Sequence, residues 1–244
     1  MENNFLKNAE DSVRHALDHL FEDNSLSSFH HRKWFLFSAY HAAQMIFLYL
    51  MEKKESGFAE INNYPSLNTN LLKKVKRHYV EEPYLKELFL LLSSNLKSDR
   101  DNIWHRDSTQ SSNTLNQEVF SLMGIMQYCA LQEECDIKKL FKLKTDNLRL
   151  ISESISLQEV RLFDEYRRKN KVGDSAFRYE NFVTDLLKHK YPNRLLHCCD
   201  YCGAESILDD SRYCEACFTE VTWHECEECN EIFCIVEGSL THKC

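Results

Sequence analysis

Two groups of residues in this sequence have the types and spacing to do chemistry. The first is a run of cysteines late in the chain: Cys199-x2-Cys202 followed by Gly203, Cys214-x2-Cys217, Cys226-x2-Cys229, and His242-x-Cys244. A Cys-x2-Cys pair makes a tight knuckle whose two sulfurs face one ion, and thiolates with an occasional imidazole are the donors zinc prefers. Gly203 eases the turn after the first knuckle. Four pairs supply eight donors, enough for two tetrahedral Zn²⁺ sites. Sequential pairing gives an all-cysteine site (Cys199, Cys202, Cys214, Cys217) and a mixed one (Cys226, Cys229, His242, Cys244). Cross-braced pairing instead joins the first knuckle to the third, and the second to His242 and Cys244. His197, Cys198, His224 and Cys234 are left over as packing or supporting residues. Both ions are expected to be structural, because a tail of about fifty residues buries too little apolar surface to hold itself together without metal.

The second group lies in "SDRDNIWHRDS", residues 98 to 108. Arg100 can grip a phosphate with two parallel N–H donors and stabilise charge developing on its oxygens. His105 can move protons near neutral pH, and Asp101 can orient the pair. Together these suffice to cleave RNA without metal, with a ribose 2′-OH attacking the adjacent phosphate. Residues i and i+5 of a helix lie about 140° apart, so Arg100 and His105 do not share a face. A site built from both needs a bent helix start or contributions from two chains. The bland reading is a solvated turn in which Asp99, Asp101 and Asp107 pair with Arg100 and Arg106.

The elements that must position these groups are helical for most of the chain. Only 5 Gly and 3 Pro occur in 244 residues, which suits long helices with few tight turns. Apolar spacing predicts an amphipathic helix over 4–22, then a helix over 29–54 that is apolar nearly all round in its middle, the mark of a buried core helix. Its segment 35–51 is interrupted by Ser38, His41 and Gln44, and is marginal in length for a membrane span. Short helices are expected over 70–80 and 83–97, a longer one over 115–136, and a basic amphipathic one over 136–144. Two more follow, carried by "SISLQEVRLFDEYRRKNK" and "DSAFRYENFVTDLLKHKYPN". After Pro192 the composition changes abruptly, and nine of the eleven cysteines appear. Three domains are expected: a helical domain over 1–145, a helical connector over 146–192, and a two-zinc Cys/His domain over 193–244.

The helix "SAYHAAQMIFLYL" resembles the "YHAA" helix of HEPN domains (higher eukaryotes and prokaryotes nucleotide-binding), all-α bundles that often act as metal-independent ribonucleases. "RDNIWH" (100–105) fits that family's Arg, polar residue and His pattern, and the order of the two motifs agrees. The resemblance covers roughly residues 1–140. It implies a homodimer whose two Arg/His sets line one cleft, which would answer the i, i+5 geometry. It also implies products ending in 2′,3′-cyclic phosphate and 5′-OH, and a toxin or antiphage-defence role. One departure stands out: Gln44 and Leu48 occupy places where many relatives carry an acidic and a basic residue. His41 itself reads as a hydrogen-bonded core histidine rather than a catalytic one.

The tail resembles tandem zinc ribbons. The expected fold is therefore an all-α, HEPN-like bundle followed by a small two-zinc, zinc-ribbon-like domain. Net charge is −8, with a pI near 5.8, so nucleic acid is not drawn in by the overall field. Seven ligand thiolates outweigh two dications, which makes the metal-loaded chain more acidic still. RNA would be held locally, with "KKVKRH" (73–78), "RR" (167–168) and "KNK" (169–171) as candidate backbone contacts. A protein partner for the glutamate-rich tail is the other expected interaction. No basic region followed by an apolar run opens the sequence, and eleven cysteines without a secretory signal point to a reducing cytoplasm. The competing reading is a non-catalytic bundle that dimerises while the zinc tail docks a protein or nucleic acid.

Overall fold

The computed structural model describes residues 2–21, 29–55, 58, 112–156, 179–209, 211–225 and 232–236. These are mostly helical, with two small β-hairpins in the cysteine-rich segment. The chain divides into two compact units.

The first unit contains α1 (Glu2–Phe21), α2 (Phe29–Lys54), α3 (Ser112–Gln132) and α4 (Ile137–Phe141). Helix α1 buries Phe5, Ala9, Val13, Ala16 and Leu17, a helical stripe of mostly small residues. Helix α2 answers with Ala39, Ala42 and Ala43, all fully buried. Small residues on both sides let the two backbones approach closely, and these helices form the most extensive contact in the unit. Beyond the alanines, α2 buries Phe35, Leu36, Ile46, Phe47, Leu48 and Met51 completely. By length and composition alone α2 could cross a membrane, yet 72% of its apolar window is buried inside the protein. It is the core helix that its all-round apolar sequence predicts.

Helix α3 packs against α2 and is buried at every position from 118 to 131. It closes with Glu134 in the left-handed region (φ 50°), Cys135 N–H donating to Ala130 O and Glu134 N–H to Leu131 O. That pattern satisfies carbonyls the helix end would otherwise leave open. The single basic helix expected over 136–144 is shorter. Asp136 caps α4 by accepting from Lys138 N–H at 2.7 Å, and Lys142 ends it in a left-handed conformation (φ 49°). The ion pair Lys53–Glu133 (2.7 Å) ties the end of α2 to the end of α3, and Lys142–Glu10 (2.9 Å) ties the end of α4 to the middle of α1.

The second unit contains α5 (Thr145–Ser156), α6 (Tyr179–Lys190), β1 (Leu196–Cys198), β2 (Glu205–Leu208), β3 (Val221–Glu225) and β4 (Ile232–Val236). Leu148 and Ile151 of α5 are buried, as are Phe182, Val183, Leu186 and Leu187 of α6, and the two helices pack together. Helix α6 also packs on β2, with Lys188 paired to Glu205 at 2.5 Å. Strands β1 and β2 are antiparallel with an irregularity between His197 and Cys198, and β3 and β4 form a regular antiparallel pair. The helices expected over 70–80 and 83–97 lie outside the described residues, as does most of the one expected from "SISLQEVRLFDEYRRKNK".

Candidate metal centre

Cys199 and Cys202 sit just after β1, and Cys214 and Cys217 follow β2. The two pairs fold into the same turn. In the first, Gly203 N–H donates to Cys199 O at 2.7 Å, and Cys199 N–H donates to Ala204 O at 2.8 Å. In the second, Phe218 N–H donates to Cys214 O at 2.9 Å, and Cys214 N–H donates to Thr219 O at 3.0 Å. The residue after each second cysteine takes a left-handed backbone: Gly203 at φ +76° and Phe218 at φ +61°. Glycine adopts that conformation freely, whereas Phe218 adopts it at a steric cost. Complete burial of the Phe218 ring offsets that cost.

The repeated turn aims all four sulfurs at one point. Cys199 Sγ lies 3.7 Å from Cys217 Sγ, and Cys202 Sγ lies 3.8 Å from Cys214 Sγ. All four ligand atoms fall within 4.8 Å of one another. Tetrahedral coordination with Zn–S bonds near 2.3 Å separates the sulfurs by roughly 3.8 Å. The donor set and its spacing therefore fit a single tetrahedral ion. Cys199, Cys214 and Cys217 are buried and Cys202 is half-buried, so the centre is closed to solvent on most sides.

Crowding makes the four thiols unlike one another. Hydrogen bonds from Cys199, Cys202 and Cys214 hold Cys217 far below the ordinary thiol range, and contacts led by Cys199 push Cys202 and Cys214 far above it. A dication at their centre would stabilise the thiolate form of all four.

Two hydroxyls complete the surroundings. Ser206 Oγ lies 3.0 Å from Cys214 Sγ, and Thr219 Oγ1 lies 3.2 Å from Cys217 Sγ. Both residues are buried, and beside thiolates their hydroxyls become the donors. Glu215 N–H donates to Ser206 O at 2.9 Å, fastening the second knuckle to β2. Sequence reasoning missed Ser206 and Thr219. The only signal was position, since Thr219 follows its knuckle by two residues while Ser206 reaches Cys214 through the fold.

Of the left-over donors, His197 and His224 make ring contacts. His197 Nε2 meets Asp209 Oδ1 at 2.7 Å, and its ring packs edge-on against Trp223 at 5.0 Å between centroids. Trp223 Nε1–H donates to Ser211 O at 2.7 Å, which ties the β3–β4 hairpin to the loop before the second knuckle. His224 stacks on Phe233, and Cys234 sits opposite Trp223 in the ladder. Cys198 is exposed, its thiol pushed up by burial of part of its surface and by Asp200.

Cys226, Cys229, His242 and Cys244 lie outside the described residues, as do Arg100, Asp101 and His105 and the basic runs at 73–78 and 167–171. On α2, His41 corrects the expectation of a core histidine: it is exposed, and its Nδ1 meets Ser12 Oγ at 2.7 Å. Position 41 falls on the rim of the α1–α2 contact, where partial burial still lowers its pKa below the ordinary imidazole value. Gln44 is half-buried and Leu48 fully buried. The chain matches no protein-family model, no curated protein and no solved structure at a significant level.

Proposed function

We propose that this chain couples an HEPN-type, metal-independent endoribonuclease to a zinc-ribbon-like module that holds structural Zn²⁺ and docks a partner. The observation that carries the zinc module is the tetrahedral spacing of Cys199, Cys202, Cys214 and Cys217. The second ion would be held by Cys226, Cys229, His242 and Cys244. The ribonuclease reading rests on "RDNIWH" together with the YHAA-type sequence, and it is supported by α2 being the buried core helix of a helical unit.

In that reaction the 2′-oxygen forms a bond to phosphorus as the P–O5′ bond breaks. His105 relays the proton, Arg100 holds the phosphate oxygens, and Asp101 orients them. Two protomers would each contribute one Arg/His set to a shared cleft. Zinc-loaded protein should cut RNA in EDTA, with zinc retention verified by elemental analysis. The 5′ fragments should end in 2′,3′-cyclic phosphate, and Arg100→Ala or His105→Ala should lower cleavage by at least about 10²-fold. Undiminished cleavage in both variants would overturn the assignment.

A second reading, a non-catalytic dimerising or docking module, is favoured by one observation. Leu48 is fully buried and Gln44 uncharged, so α2 offers no acid–base pair at these two places. Absence of cleavage by a dimer with intact zinc would select it.

A further inference from the structure

Helices α1 and α2 pair in an antiparallel register along a polar seam beside their apolar contact. Ser12 Oγ meets His41 Nδ1 and Ser38 Oγ meets His15 Nδ1, each at 2.7 Å. One turn further along, His19 stacks against Trp34 with centroids 6.4 Å apart, and His19 Nδ1 comes within 3.1 Å of His31 Nδ1. His15 stands one helical turn before His19, with rings 4.6 Å apart. His30 lies 5.5 Å from His31 by the same measure. Four imidazoles and a 42% exposed indole thus gather at one end of the helix pair.

Two Nδ1 atoms facing each other at 3.1 Å have two physical explanations. Either they share a proton in an N–H···N bond, or both turn lone pairs toward one cation. Two metal–nitrogen bonds of 2.0–2.1 Å separate the nitrogens by roughly 3.3 Å at a tetrahedral angle and by roughly 2.9 Å at a right angle. The observed spacing falls between these, and imidazole suits Zn²⁺, Ni²⁺ and Cu²⁺.

We propose that His19 and His31 chelate one divalent transition-metal ion through their Nδ1 atoms, bridging α1 to α2 at a site separate from the cysteine centre. Ser38 engages His15 Nδ1 and leaves Nε2 as that ring's coordinating atom. Among the described residues only the four cysteines already gather three or more ligand atoms so closely. His15 or His30 therefore joins by side-chain rotation, and the remaining positions go to water. Chelation needs a lone pair on each Nδ1, so a proton held there passes to Nε2 of the same ring or, where both nitrogens are protonated, to solvent. With neutral imidazoles and water in place of four thiolates, this is an exchangeable site weaker than the cysteine one.

The test uses full-length protein with its thiolate sites filled by zinc, titrated with Ni²⁺ and followed by calorimetry and tryptophan fluorescence. One Ni²⁺ should bind per chain and quench emission, and Trp34→Phe should remove the quenching but keep the binding. His19→Ala and His31→Ala should each weaken binding at least about tenfold, the loss seen even for residues one shell out from a metal. His41→Ala, in the same seam, should leave it unchanged. His19→Gln and His31→Gln keep polar side chains in the seam and repeat the comparison if circular dichroism shows the alanine variants losing helix. If wild type binds no Ni²⁺ more tightly than the His19→Ala/His31→Ala double variant, the pair is a hydrogen bond only and the proposal falls.

Discussion

Gly203 and Phe218 occupy equivalent places in two copies of one turn, and they meet its backbone demand differently. At Gly203 a Cβ would meet nothing within 4 Å, so only backbone conformation favours glycine there. Phe218 accepts the same left-handed geometry because its ring is locked in the core. Ser206 and Thr219 set a second requirement, since each hydroxyl stands beside one sulfur of the second knuckle. Ser206→Ala and Thr219→Val should each keep a metal ion at the four cysteines but weaken its binding about 10–100-fold, the usual cost of losing a hydrogen bond to a metal ligand. Competition with a chromophoric chelator measures this, and unchanged affinity would mean that the hydroxyls only fill space.

At the scale of elements, α2 carries most of the consequence. It is buried against α1 and α3, so a large ring removed from its middle leaves a cavity that neighbours on several sides cannot fill. Phe47→Ala should cost about 3–5 kcal/mol in urea unfolding. Leu150→Ala on α5, where the side chain is 52% exposed, should stay within about 0.5 kcal/mol of wild type. Equal effects would mean that burial does not govern stability here. Much of this was legible in advance: α1 and α2 lie close to where apolar periodicity puts them. The basic helix over 136–144 was not, because Lys142 breaks it with a left-handed turn that a lysine side chain does not advertise. Most of helix α5 (Thr145–Ser156) lies ahead of Ser154, where the next helix was expected to start, so the apolar pattern did not announce it.

For the whole molecule, the four-cysteine cluster lies in the second of the two units. The first unit has its own core of large apolar side chains, whereas the strands of the second are three to five residues long. Hairpins that short are marginal without a further tie. Stripping any metal held by the four cysteines with a strong chelator should therefore unfold the cysteine-rich segment while α1 to α4 persist, giving two separate thermal transitions where the chelator is present. A single cooperative transition that moves as a whole with chelator would show the units to be energetically one. Lowering the pH should act like the chelator, because protons compete with a metal ion for the thiolates. Stability supplied by the metal is present when the sulfurs are deprotonated and is lost as pH falls.

The sequence by itself determined what short-range geometry controls. Cys-x2-Cys spacing puts two sulfurs on one side of a knuckle wherever the knuckle lies, and a long apolar run with few polar interruptions makes a mostly buried helix whatever covers it. Only the tertiary structure decided which groups meet across long separations. It brought Cys199 to Cys217 and Cys202 to Cys214, seated Ser206 beside a sulfur eight residues away, and set His19 against His31. Those meetings depend on register between helices and between knuckles. Register is settled by the packing of the whole core, to which no single motif in the chain has access.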